Sequence, residues 1–344
     1  MKKAVLLAAI LFLGTGVAVI GQRSSADRSF ASAPLTSQEA PVIPIEIEGP
    51  LADRDSEVSG LDWYGDYLIL LPQYPDRLGG NLFAIAKSDI LSTLNSESSG
   101  PLSPVPITLL AGDLAEQIEG FEGFEAIAFK GDQVFLTVEA SASGGMKGYV
   151  VSGTIENDLS QIVIDPDKIA ESPVQSNSPN KADEALLVTE EALVSIYEVN
   201  GVQLNLDPQA HTFDFDLRSQ PSVSFPNVEY RITDVTGLDE RDRFWAINYF
   251  YPGDVDLIPT ADPLAVRHGK GLTHRQQKHV ERLIEFDYVS GKISLTNTAP
   301  IQLELAAEAR NWEGIVCLDD KGFLIVTDKF PSTILGYVPL DSAP

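Results

Sequence analysis

Cysteine is almost missing from this chain: Cys317 alone, among 344 residues, excludes an intrachain disulfide. It lies in an apolar run, where a small buried hydrophobe is expected rather than a nucleophile. Basic charge is also scarce. The 24 Lys and Arg face 50 Asp and Glu, a formal net charge of -26, which repels nucleic acid and anionic lipid and favours cations as partners. Only four histidines occur, and no pair has the helical spacing with a partnering Glu that a zinc hydrolase needs. P-loop, dinucleotide-binding and EF-hand signatures are absent. Ser59 lacks the G-x-S-x-G elbow, which argues against a serine esterase.

What is present is 44% hydrophobic residues with 26 Gly and 22 Pro, the profile of a turn-rich globular protein. Lys2 and Lys3 precede an uncharged stretch from Ala4 to Gly21, so residues 1–21 are expected to be an export signal or an uncleaved N-terminal anchor. No cysteine follows, so no lipoprotein anchor is expected. A periplasmic or extracellular location follows from this reading, with membrane contact only through that N-terminal segment. Residues 22–41, rich in Ser, Ala, Pro and Thr, read as a flexible linker.

From residue 42 to 344 a sequence hairpin recurs. Ser59-Gly60-Leu61-Asp62-Trp63, Glu125-Ala126-Ile127-Ala128-Phe129, Glu184-Ala185-Leu186-Leu187-Val188, Thr236-Gly237-Leu238-Asp239 and Glu313-Gly314-Ile315-Val316-Cys317 each open an apolar run. A polar turn and a second apolar run follow each, ending near Gln73, Glu139, Glu198, Asn248 and Asp328. Third and fourth strands complete each repeat except the last, which lacks a fourth. The alternating segment at 42–48 fits that vacancy and would close a ring. The expected fold is therefore all-β: a β-propeller of five four-stranded blades, with six as the alternative, closed by the N-terminal strand. A basic insertion at 250–281 interrupts the fourth repeat, with a short helix expected from an N-cap at Thr273.

In such a ring the openings of first strands and the ends of second strands meet at one mouth. Glu125, Glu184, Glu313, Glu139 and Glu198 become candidate metal ligands there, and hard oxygen donors of this kind suit Ca2+. The alternative is that acids opening inner strands only accept backbone N–H bonds from the next blade. Ser59, Gln73, Asn248 and Trp312 are candidate substrate contacts, although Trp312 suits a packing wedge equally well. Glu313, Asp328, Lys329 and Arg310 are the candidate catalytic groups. Tyr249, Phe250 and Tyr251 offer an apolar wall beside Asn248, or simply pack as turn aromatics do. The insertion's Arg267, His268, Lys270, His274, Arg275, Lys278, His279 and Arg282 form either an anion-holding flap or a solvated helix face.

Ser59-Gly60-Leu61, Phe124-Glu125-Ala126-Ile127-Ala128 and Trp312-Glu313-Gly314-Ile315-Val316, each followed by such a hairpin, resemble the phytase-like ("esterase-like activity of phytase") propeller family. That resemblance implies an exported, calcium-assisted hydrolase of phosphate or carboxylic esters acting at an acidic channel mouth on a small anionic or ester substrate. The alternative reading is a non-catalytic propeller binding a metal, a small ligand or a protein on its face. Ser59 and Thr236 depart from the acidic opening.

Overall fold

The computed structural model describes residues 37–340 apart from Gly144, Asn157 and Pro179. The expected signal or anchor at 1–21 and most of the linker lie outside the described residues. Twenty of the strands group into five antiparallel blades. Blade one comprises Val58–Tyr64, Tyr67–Pro72, Asn81–Ala86 and Val105–Leu110. Blade two comprises Phe121–Lys130, Gln133–Ala142, Gly145–Ile155 and Gln161–Ser172. Blade three comprises Asp183–Val188, Leu193–Tyr197, Gln209–Phe213 and Ser219–Ser224. Blade four runs through Arg231–Val235, Arg243–Phe250 and Val280–Val289, whose outer edge pairs with both Lys292–Leu295 and Ile301–Leu303. Blade five has Trp312–Leu318, Gly322–Thr327 and Leu335–Pro339.

The vacancy in blade five is filled as expected. Ile43–Ile45 pairs antiparallel with Leu335–Pro339, Ile43 opposite Tyr337 and Ile45 opposite Leu335. The first strands of successive blades touch in cyclic order, from blade one round to blade five and back to blade one. The fold is thus a closed five-bladed β-propeller, and closure leaves fewer free strand edges. Each seam between neighbouring blades has its own apolar core. Blades one and two meet through Ile69, Leu71, Phe124 and Ile127, and blades two and three through Ala126, Phe135, Leu186 and Leu193. Ala185, Leu187, Ile232 and Val235 join blades three and four. Ile247, Leu283, Trp312 and Ile315 join four and five, and Val316, Leu324, Leu61 and Leu68 close the ring. First strands are therefore buried on both faces, which is why they read as continuous apolar runs rather than alternating ones.

The glycine in the repeated openings answers to this crowding. A Cβ on Gly60 would lie 3.2 Å from the Cα of Ala126 in blade two, and one on Gly314 would lie 2.8 Å from Leu61 Cγ in blade one. Neighbouring inner strands leave little room there for a side chain without a shift of the atoms opposite. Outside the blades, the insertion holds two short helices, Pro263–His268 and Leu272–Gln276. Thr273 is inside the second rather than capping it, and its N–H and hydroxyl both donate to Glu39 at 3.0 and 2.9 Å. Glu39 itself belongs to Glu39–Ala40, a strand pairing parallel with Ile301–Leu303. The end of the segment expected as a linker is therefore built into blade four.

Candidate active site at one mouth of the channel

Every inner strand opens with an irregularity in its ladder. The pairing shifts between Val58 and Gly60, Phe124 and Ile127, Asp183 and Ala185, Ile232 and Val235, and Trp312 and Gly314. A bulge of this kind re-aims a side chain that a regular strand would send elsewhere. Ser59, Glu125, Glu184, Thr233 and Glu313 occupy these five places. The two hydroxyls tie blades together: Ser59 Oγ donates to the carbonyl of Phe124 at 2.7 Å, and Thr233 Oγ1 to that of Trp312 at 2.6 Å. Each thereby fixes the bulge that carries the next glutamate.

The three glutamates face a polar cavity of about 260 Å³, together with Ser59, Gln73, Tyr74, Glu139, Lys181, Asn311 and Asp328. Arg231, opening blade four, reaches into the same cavity. Its Nη2 donates to both oxygens of Glu184 at 3.2 and 3.1 Å and to Glu313 at 3.1 Å. Its Nη1 donates to Asn311 Oδ1 at 3.1 Å, and its Nε pairs with Glu198. Lys181 stands 3.3 Å from Glu198 as well. Two cations thus meet six carboxyl groups: Glu125, Glu139, Glu184, Glu198, Glu313 and Asp328.

Burial and mutual repulsion have the consequence expected of crowded acids. Glu313 is pushed up to about 8, chiefly by burial, with Arg231 opposing and Asp328 adding repulsion. Glu139 is pushed up to about 7 by burial and then by Glu198. Burial also lifts Glu125 and Glu184 well above the ordinary range, against the 2.6 Å hydrogen bond from Gln73 Nε2 to Glu125 and the Arg231 charge beside Glu184. Asp328 is raised by burial too, but the Phe330 N–H at 2.9 Å, Asn311 and Arg231 all favour its ionised form. Arg231 is held charged because its carboxylates outweigh its own burial. Protons do much of the neutralising that the two cations leave undone.

A second cavity, of about 700 Å³, adjoins the first through Arg231 and Asn311. The insertion and two loops of blade five build it, with Tyr249, Tyr251, Phe330, Pro252 and Pro331 as apolar surfaces and Gln276, Gln277, Lys278 and His279 as polar ones. At the other end of the inner strands lies a third cavity of about 450 Å³, walled by Leu61, Ile127, Leu186, Val188, Val235 and Leu238. Asp62 lines that third cavity, and it accepts the N–H groups of Trp63 and Phe129, each at 2.8 Å.

The expected carboxylates do converge: Glu125, Glu139, Glu184, Glu313 and Asp328 line the mouth with Gln73 and Ser59, while Glu198 is fully buried against Arg231. Other expected site residues lie elsewhere. Trp312 is completely buried in the seam between blades four and five, and its Nε1 donates to Glu281 at 2.8 Å, so it is the wedge. Asn248 is also completely buried, donating to the carbonyls of Glu229 and Arg231 and accepting from Arg282. The residue one further on, Tyr249, takes the ring position, opposite Arg231 in the ladder. Likewise Thr233, not Thr236, is the fourth repeat's equivalent of Ser59. Arg310 is bound to Glu281 at 2.7 Å, and Lys329 to Glu57 at 2.8 Å. In the insertion, Arg282 pairs with Asp262 at 2.8 Å and His274 with Glu39 at 2.9 Å. Arg231 and Lys181 were not expected from the sequence; a lone arginine opening an inner strand is the only local signal of the former.

Calcium does not fit this arrangement, because a guanidinium already stands among the carboxylates. Among the described residues no group of three or more His, Cys, Asp and Glu side chains is disposed to hold a metal ion.

No family model matches the chain, and no curated protein matches its sequence. Its backbone is similar to solved structures of glycoside hydrolases. A GH43 endo-arabinanase from Bacillus licheniformis is 11% identical over 87% of this chain and 98% of that one, with a TM-score of 0.47. A GH43_1 enzyme from Xanthomonas citri complexed with xylose is 10% identical over 87% and 91%, TM-score 0.47. The catalytic domain of a GH62 α-L-arabinofuranosidase from Coprinopsis cinerea is 8% identical over 90% and 93%, TM-score 0.43. The resemblance to phytase-like propellers is corrected accordingly: the solved structures found are named glycoside hydrolases, and no phytase-like family model matches. Hydrolysis of phosphate or carboxylic esters is corrected with it. The charge agrees: Arg310 and Lys329 of the expected catalytic set and Arg282 of the insertion are each paired with a neighbouring acid, and the mouth itself is acid-rich.

Proposed function

We propose that the channel mouth hydrolyses glycosidic bonds of a neutral saccharide, one carboxyl group protonating the leaving oxygen and a second carboxylate activating the water that replaces it. The observation that carries this reading is a pair of carboxyl groups with unlike surroundings in one cavity: Glu313, pushed up to about 8 chiefly by burial, and Asp328, raised by burial but held by the Phe330 N–H and Asn311. Glycoside hydrolysis needs such a pair, one acid to protonate the leaving oxygen and one carboxylate to act on the far side of the sugar. Glu313 is the proton donor in this scheme and Asp328 the carboxylate partner. Glu139 lines the same cavity, and its Oε1 is buried with no protein partner. The adjoining 700 Å³ cleft suits the rest of the substrate, since Tyr249, Tyr251 and Phe330 offer flat apolar surfaces and Gln276, Gln277 and Asn311 offer amides. An acid-rich mouth favours neutral rather than anionic sugars. The exported location proposed from residues 1–21 accords with a polysaccharide-acting enzyme.

The test is turnover on a panel of nitrophenyl glycosides and neutral oligosaccharides, followed by sugar release. Glu313→Gln is expected to lower kcat by about 10²–10⁴-fold, the usual contribution of a general acid, while the fold is kept. An active enzyme indifferent to that substitution, or saccharide binding without turnover, contradicts the reading.

A further inference from the structure

Arg231 sits among the oxygens of three carboxyl groups and one side-chain amide. Glu184 and Glu313 come from the bulges of blades three and five, Glu198 from the end of a second strand, and Asn311 supplies an amide oxygen. Carboxylate and carbonyl oxygens are the hard donors that calcium takes, although with the guanidinium in place no three acidic, His or Cys side chains among the described residues are disposed to hold an ion. Here the place between them is occupied by a planar guanidinium, which engages all four side chains through Nε, Nη1 and Nη2. Arginine keeps its charge under any condition in which the protein is folded, and its fork of donors fixes each carboxylate in direction as well as distance. Tyr249 lies alongside, its ring centroid 5.6 Å from the Arg231 Cζ.

We infer that Arg231 is the resident cation of this channel, a covalently tethered substitute for a divalent metal, so that the mouth is assembled and works without one. The geometry makes two demands. The native chain gains nothing from calcium, and a chain lacking the guanidinium acquires a cation site from the carboxylates left behind. The inference is independent of what the mouth acts on.

The experiment uses the full chain and its Arg231→Met and Arg231→Lys variants, each first treated with chelator. Melting temperature is followed with and without millimolar calcium, and terbium luminescence is excited through tyrosine, for which Tyr249 and the cavity-lining Tyr74 are well placed. The native chain and Arg231→Lys should show no calcium shift and no sensitised emission. Arg231→Met should melt ~4 °C or more higher in calcium than in chelator and should sensitise one terbium ion, lost again in Arg231→Met/Glu313→Gln. Calcium binding by the native chain that depends on Glu313 overturns the inference. So does an Arg231→Met chain that binds neither ion, or that is unfolded in calcium and chelator alike.

Discussion

The two mouths of the channel are made from the same five strands and treat their acids in opposite ways. At the far mouth Asp62 gives each carboxylate oxygen to a backbone N–H, one from Trp63 and one across the seam from Phe129. Asp239 there accepts the N–H groups of Arg241 and Arg243. At the near mouth the ladder is bulged at every opening, so the carboxyls face one another and Arg231 instead of backbone. Glu139 Oε1 and Glu198 Oε2 are buried with no partner at all. The far acids do what acids at strand ends ordinarily do, accepting backbone N–H groups, Asp239 within its own hairpin and Asp62 also across the seam to blade two. The near acids are concentrated around one guanidinium and partly under-bonded, which is costly for stability and is the condition of a reactive site.

The comparison breaks most sharply on the cations. Arg231→Ala at the near mouth should destabilise the fold by about 3–5 kcal/mol in chelator, the cost of leaving a buried charge network unpaired. Lys130 at the far mouth donates to the carbonyls of Thr189 and Glu190, at 2.9 and 2.8 Å, and stands 4.1 Å from the centroid of the Phe215 ring. Lys130→Ala should cost about 1 kcal/mol. Chemical denaturation of both variants decides the point, and equal losses would erase the distinction.

Acidity sharpens it next. Glu313 takes up its proton more tightly folded than unfolded, so its contribution to stability is complete below the ordinary carboxyl value of 4.5 and is lost as pH rises through about 8. Thermal melts from pH 5 to 9 should show stability falling by a few kcal/mol. The fall should be shallower in Glu313→Gln. The same titration should set the alkaline limb of any turnover near pH 8. Asp62, pushed up to about 7 by burial, contributes in the same direction at the far mouth, so the slope that remains in Glu313→Gln should shrink again in Glu313→Gln/Asp62→Asn.

Asp62→Ala gives the smaller structural effect. Two N–H groups lose their acceptor, a loss of about 1–3 kcal/mol, with kcat on any saccharide substrate unchanged because the side chain lies at the opposite end of the channel. A drop in kcat without a drop in melting temperature would connect the mouths and contradict their separation.

Much of this architecture is legible in the residues. Apolar runs such as Leu68–Leu71 and Val134–Val138 mark second strands, and the unfilled edge of blade five together with the alternating 42–48 segment foretells closure. The glutamate ring follows once those repeats are superposed. The fourth repeat misleads because Thr236-Gly237-Leu238-Asp239 imitates Ser59-Gly60-Leu61-Asp62. The structural equivalent begins at Thr233, and the glycine test separates them: a Cβ on Gly237 meets nothing within 4 Å, whereas Gly60 and Gly314 are crowded. Since side chains alternate along a strand, a slip of one residue is enough to exchange buried Asn248 for Tyr249 in the ring. Arg231 was hidden for a different reason. Its role depends on carboxylates 47, 33 and 82 residues away along the chain, which no local pattern reports.

The most direct measurement is a carbon-13 titration of the glutamate carboxyl groups of the native chain and of Glu313→Gln. A carboxyl signal with its midpoint near pH 8 in the native protein, missing from the variant, is the predicted result. Carboxyl signals that all titrate near the ordinary value of about 4.3, with none lost on substitution, would contradict a protonated acid at the near mouth.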